Sequence, residues 1–178
     1  MNISHRRLLL DALFSPKKHG AYRLLPIGKV IQFTFLLTFI MTILSFFSFS
    51  NGFNVEQSQI AEFESYFNSI KWLLYPLSFI TLWISIIVLF YVQISIYAAI
   101  ALMYVVYSNR RGEYRMLWRT ATFSSTFGFI LSNLLSFTAT PSFIILLLSS
   151  GITISYLFIA VQKYPKQPNA PKIVPTND

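Results

Sequence analysis

The sequence contains no cysteine, only six acidic residues against fourteen basic ones, and only two histidines. The missing cysteine excludes a disulfide, a thiolate metal site and a cysteine nucleophile, and leaves the redox compartment unread. His5 and His19 both precede the first long apolar run, so there is no HExxH zinc helix. No P-loop, no convincing GxSxG elbow and no paired-carboxylate site occurs either. The expectation is a protein that is not an enzyme, with no cofactor and no metal. Charge is scarce as well. Charged residues make up 11% of the chain, against about 25% in an average soluble domain.

What is present is apolar and aromatic. Hydrophobic residues account for 54% of the 178 residues, with 18 Phe and 10 Tyr. This composition points to an integral membrane protein. The net charge of +8 would suggest nucleic acid on a soluble domain, but here the basic residues are segregated by segment. All except Lys71 fall in three clusters: Arg6 to Lys29, Arg110 to Arg119, and Lys163 to Lys172. Between them run three uncharged stretches, Val30–Val55, Trp72–Asn109 and Thr120–Gln162. No nucleic-acid partner is expected.

A spanning helix needs about 20 mostly apolar residues. The first stretch holds one, Val30–Phe49, and the third holds two, Thr120–Phe137 and Phe143–Val161, parted by "TATPS", with Pro141 suited to start a helix. The segment "SFFSFSNG" lacks an A-x-A cleavage pattern, so the first run is expected to stay as an anchor. The middle stretch, Trp72–Ser108, is too long for one simple span. A long helix, a kinked helix, a re-entrant hairpin and two short spans are all compatible with it. Basic segments favour the cytoplasmic side, and one crossing here puts all three clusters there. The expected fold is all-α: a polytopic bundle of four spans, the second long or kinked, with both termini cytoplasmic in a bacterial plasma membrane.

Three flanking segments complete the plan. Residues 1–29 form a basic cytoplasmic arm, with an interfacial helix over Ile3–Phe14 ended by Ser15-Pro16. Residues 30–162 form the bundle, including an outer loop (51–71) and a basic inner loop (108–119). In the outer loop, Ile60, Phe63, Phe67 and Ile70 share one face of a short amphipathic helix that Asn54 could cap. The Pro-rich tail, 163–178, is expected to be extended and disordered.

Candidate residues sort into three groups. Ser124, Gly128, Ser132 and Ser136 recur every four residues, as do Gly151 and Ser155, a spacing that lets helices approach closely in lipid. Gln93 and Asn133 are lone polar residues in apolar runs, able to bond to each other or to backbone. The third group starts from two hexapeptides, "GAYRLL" at Gly20 and "GEYRML" at Gly112. Their tyrosines suit a headgroup belt and their arginines can reach phosphates. A lipid or partner surface is therefore expected from Lys17, Lys18, Tyr22, Arg23, Arg110, Arg111, Tyr114, Arg115, Trp118 and Arg119. The expected partners are anionic headgroups, with another membrane protein or a second copy.

"LFSPKKHGAYRLLPIGKVIQFTFLLT", "EYRMLWRTATFSSTFGFIL" and "YLFIAVQKYPK" together resemble an uncharacterised family of bacterial integral membrane proteins. That family carries a domain-of-unknown-function label and is sometimes described as maltodextrin-utilisation membrane proteins. It is distantly similar to Yip-type membrane proteins. The resemblance covers about residues 8–45 and 72–165, most specifically Ser15-Pro16-Lys17, Tyr114-Arg115 and Leu117-Trp118-Arg119. This chain departs in its external segment, which is usually much longer. The resemblance implies a multispanning accessory or scaffold subunit linked to carbohydrate use, or alternatively a component of lipid or sugar transport.

Overall fold

A computed structural model describes residues 4–57, 61–138 and 140–166. They form α1 (His5–Phe14), α2 (Pro16–His19), a 3-10 turn (Ala21–Leu24), α3 (Ile27–Gln57), α4 (Ala61–Tyr107), α5 (Tyr114–Leu135) and α6 (Ser142–Val161). Three of the helices are long and apolar enough to cross a membrane: α3 over Ile27–Phe47, α4 over Ser69–Tyr107, and α6 over Ser142–Val161. At 22 residues α5 has the length as well, but Arg115, Arg119 and its many hydroxyls make it too polar to count with them.

The middle run is one helix, which removes the hairpin and the two short spans. Its 47 residues correspond to about 70 Å at 1.5 Å per residue. The expected short outer helix is not a separate element, because residues 61–71 are the opening turns of α4. No proline or glycine stands between Ala61 and Tyr75, and once started a helix adds each further residue cheaply. Asn54 likewise lies inside α3 rather than at a helix start. Ile60, and the Pro-rich stretch from residue 167 on, lie outside the described residues.

The most polar long helix is the most enclosed. α5 packs against α1, α2, α3, α4 and α6, and Leu117, Gly128 and every residue of Thr120–Thr126 are buried. Leucine gains nothing by leaving hydrocarbon tails for a protein interior, so close packing of small groups governs association in lipid. The hydroxyls that come with small residues are satisfied by their own helix. Thr122 donates to Trp118 O (2.9 Å), Ser125 to Ala121 O (2.8 Å) and Thr126 to Thr122 O (3.0 Å). On α3 the buried row Thr34, Thr38 and Thr42 does the same at 2.8–2.9 Å. The large aliphatics point outward instead, among them Leu36, Ile40, Ile84, Val88, Leu146 and Leu147.

Helices α5 and α6 approach closely at Gly128. A Cβ there would lie 2.7 Å from Ser149 O and closer still to Thr153 Oγ1. Ser124 is buried beside it, whereas Ser132 is half-exposed and Ser136 exposed. The face that α6 offers is Ile145, Ser149, Thr153 and Leu157, all buried. This corrects the expectation for Gly151 and Ser155: both are exposed, and nothing lies within 4 Å of a Cβ built on Gly151.

Gly128→Ala should therefore lower stability by about 1–3 kcal/mol, since the obstacle includes backbone that cannot step aside. Gly151→Ala should leave the melting temperature unchanged. Thermal unfolding of the two variants in mild detergent checks the contrast.

Candidate functional site at the basic end

The N-terminal arm is built into the bundle rather than laid beside it. α1 ends at Ser15, and Pro16 opens α2, where its missing N–H costs nothing. The chain then runs so close to the end of α6 that a Cβ on Gly20 would sit 2.7 Å from Ala160 O. Gly20 has ordinary helical angles, so it is required for space and not for a turn. At the other connection the chain turns at Asn109, whose φ of 50° is left-handed, rather than at Gly112.

Asp11 holds the arm together. Its carboxylate accepts from Lys18 Nζ at 2.7 Å and from the Tyr22 hydroxyl. Burial works to raise its pKa, but the bonds from Lys18 and Tyr22 and the charge of Arg7 outweigh it and hold the group below its ordinary value. The Tyr22 phenol is pushed up, by burial first and then by Asp11. Its ring lies 4.9 Å from that of Phe123 on α5.

His19 is wholly buried. Nδ1 lies 3.2 Å from Ser124 Oγ and Nε2 lies 3.2 Å from Asp11 O. Burial lowers its pKa to about 4, against the opposing pull of the Asp11 and Ala12 carbonyls and the Asp11 charge. The spacing matches a serine and its base, yet a base this weak is poorly matched to neutral pH, and neither side chain reaches the surface. The pair therefore locks the arm onto α5.

The remaining segments of this end meet at Tyr164, also buried. Its hydroxyl lies 2.8 Å from Thr120 Oγ1, and the Arg23 guanidinium sits 4.7 Å from its ring centroid. Burial raises its pKa, partly offset by Thr120, Arg23 and Arg119. Arg110 Nη1 donates to Gln162 O (2.6 Å) and Tyr164 O (2.7 Å), carbonyls just past the last turn of α6, where a cation also suits the helix dipole. Arg119 Nη1 donates to Arg23 O at 2.9 Å. Arg111 N donates to Pro165 O, and the backbones of Arg110 and Lys166 pair there as a single antiparallel bridge.

The ten surface residues expected from the sequence thus divide. Lys18, Tyr22, Arg23, Arg110 and Arg119 have structural partners. Trp118 is half-buried and has partners of its own: it stacks on Tyr91 (5.9 Å) and points Nε1 at Ser95 Oγ (3.4 Å). Lys17, Arg111, Tyr114 and Arg115 are exposed, beside exposed Lys163 and Lys166. The two hexapeptides part company here, because Tyr22 turns inward while the exposed Tyr114 approaches only Ser95 O (3.4 Å). Asp11, His19, Thr120 and Tyr164 were missed. A lone acid within a basic arm was the available signal.

Gln93 and Asn133 do not meet. Gln93 donates to Tyr97 Oη (3.4 Å), and Tyr97 donates to Ser150 Oγ (3.1 Å). Asn133 Oδ1 accepts from Ser45 Oγ (3.1 Å), and its amide donates to Phe129 O (2.9 Å). Gln93, Tyr97, Ser149 and Ser150 line an open groove of about 600 Å³ between α4 and α6, whose other walls include Leu89, Ile96 and Leu146.

Because His19 has a folded pKa below its unfolded value, the unfolded chain binds the proton first. Its contribution is complete above the ordinary value of 6.5 and declines as pH falls towards about 4, by on the order of 3 kcal/mol in all. Asp11 adds a further loss only below its own ordinary carboxylate range. The melting temperature should fall between pH 7 and pH 4, and His19→Gln should flatten that slope.

The chain matches the family described as "Protein of unknown function (DUF1189)" over residues 47–161. No curated protein and no solved structure matches it. The family match takes in α4, α5 and α6 entire and covers more than half of the sequence, so the chain belongs to the DUF1189 family.

Proposed function

We propose that the protein is a non-catalytic, four-span protein of the bacterial plasma membrane, with α5 as its enclosed fourth span and both termini cytoplasmic. In this reading it is an accessory or scaffold subunit. It holds a partner membrane protein through its helices and engages anionic headgroups through its basic end. The resemblance to maltodextrin-utilisation membrane proteins makes carbohydrate use the favoured setting, and the distant similarity to Yip-type proteins fits a non-catalytic role.

One observation carries the reading. Three segments far apart in sequence are tied into a single basic end by the Arg119–Arg23 and Arg110–Tyr164 bonds and the Arg23–Tyr164 ring contact, while Lys17, Arg111, Arg115, Lys163 and Lys166 stay exposed on it. Basic residues near an anionic leaflet contribute about 1 kcal/mol each, so such a surface holds both the orientation and a negatively charged partner.

Affinity purification in mild detergent should recover a stoichiometric membrane partner. The folded variant Lys17→Glu/Arg111→Glu/Arg115→Glu should retain at least tenfold less of it. A pure oligomer that carries flux in liposomes would overturn the reading. A reporter fused after Asn109 should be cytoplasmic, and an external signal there would refute the four-span arrangement.

The groove between α4 and α6 favours a second reading, a component of lipid or sugar transport. It carries amide and hydroxyl groups on an otherwise aliphatic wall. In that case Gln93→Leu would lower flux in liposomes without changing partner recovery.

A further inference from the structure

A narrower cleft lies between the arm and the bundle. Its walls are Leu9 of α1, Phe33, Leu36, Leu37, Ile40 and Met41 of α3, and Ile130 of α5. Arg6 is its one charged lining residue, and that side chain is exposed, with no carboxylate pairing among the described residues. The cleft has a volume of about 220 Å³. It follows α3 from Phe33 to Met41, about 12 Å of helix rise. The space is far too small for another helix, which is about 10 Å across with its side chains. It is also hydrocarbon throughout, with Arg6 contributing its methylenes and holding its exposed guanidinium at the rim, which excludes a free phosphate or a sugar.

We propose that this cleft is a binding site for one anionic glycerophospholipid, with an acyl chain against Leu36, Leu37, Ile40 and Met41 and the headgroup phosphate on Arg6. A guanidinium pairs with phosphate through two parallel N–H bonds. The apolar walls accept a chain of methylenes without leaving a polar group unpaired. Leu8 and Ala12 press α1 onto the bundle, so the lipid becomes part of the wall that the arm completes. The proposal rests on the reading that this end of the molecule faces an anionic leaflet, and it names one place where a single lipid is held rather than a general attraction.

The full chain in phosphatidylcholine nanodiscs can be irradiated with phosphatidylglycerol carrying a diazirine in its acyl chain, or with the matched phosphatidylcholine probe. The phosphatidylglycerol probe should label Leu9 and the 33–41 segment about tenfold more than the phosphatidylcholine probe, whose choline cation neutralises the same phosphate and repels the guanidinium. Arg6→Gln should abolish that preference. Ile40→Trp should fill the cleft and remove the label from both probes. Arg6 is exposed and its variant should keep the wild-type elution profile, so the test survives even if Ile40→Trp does not fold. Equal labelling by the two probes, or a preference that persists in Arg6→Gln, would overturn the proposal. The triple variant at Lys17, Arg111 and Arg115 should keep the cleft label while losing its partner, so the cleft and the basic-end reading fail by different results.

Discussion

The approach of α5 to α6 at Gly128 is the contact on which the rest of the bundle depends. With no side chain there, α5 lies against the backbone of α6 at Ser149 and against the Thr153 hydroxyl. That places α5 deep enough for α3 and α4 to close around its other sides and for α1 and α2 to cover what is left. The hydroxyl-rich interior follows from the same constraint. Small side chains are needed for proximity, and serine and threonine are small side chains whose polar atom can be returned to the preceding turn. The outcome reverses the pattern of a water-soluble core: aliphatic bulk outside, compact and weakly polar groups inside.

Much of this was readable from residue order. The uncharged stretches mark α3, α4 and α6 because a charge inside a span is costly, and the Ser15-Pro16 break marks the end of α1. Element limits were less legible. Asn51-Gly52 looks like the end of a helix, and the stretch around Glu62 and Glu64 like a short separate helix, yet α3 runs through the first and the second is the opening of α4. Helix propagation does not stop where composition changes. The α6 packing face shows a different limit. Ser149 and Thr153 have the same four-residue spacing as Gly151 and Ser155, so spacing alone cannot choose between them. The full rows do: Ile145–Ser149–Thr153–Leu157 is buried, while Leu147–Gly151–Ser155 is exposed.

The basic end was the least legible part of the candidate site. Its arginines and lysines were visible as clusters, but four of the seven expected at the surface, Lys18, Arg23, Arg110 and Arg119, serve as structural ties. What separates the two kinds is long-range geometry. Arg110 turns structural because the end of α6 presents carbonyls to it, and Lys18 because Asp11 lies across the break at Ser15. Lys17, next to Lys18, is exposed. A charge cluster read from sequence is thus a pool from which the fold first draws its own fasteners.

The lock between His19 and Ser124 has a consequence for the order of events during synthesis. Residues 11–23 are made well before Ser124, Ala160 and Tyr164, the groups that receive them. Until α5 and α6 are made and paired, the arm has no seat. An unseated arm displays Leu8, Ala12 and His19, which the finished protein hides completely. The seated arm is therefore a record that the later helices have come together, written by the earliest of these segments to emerge.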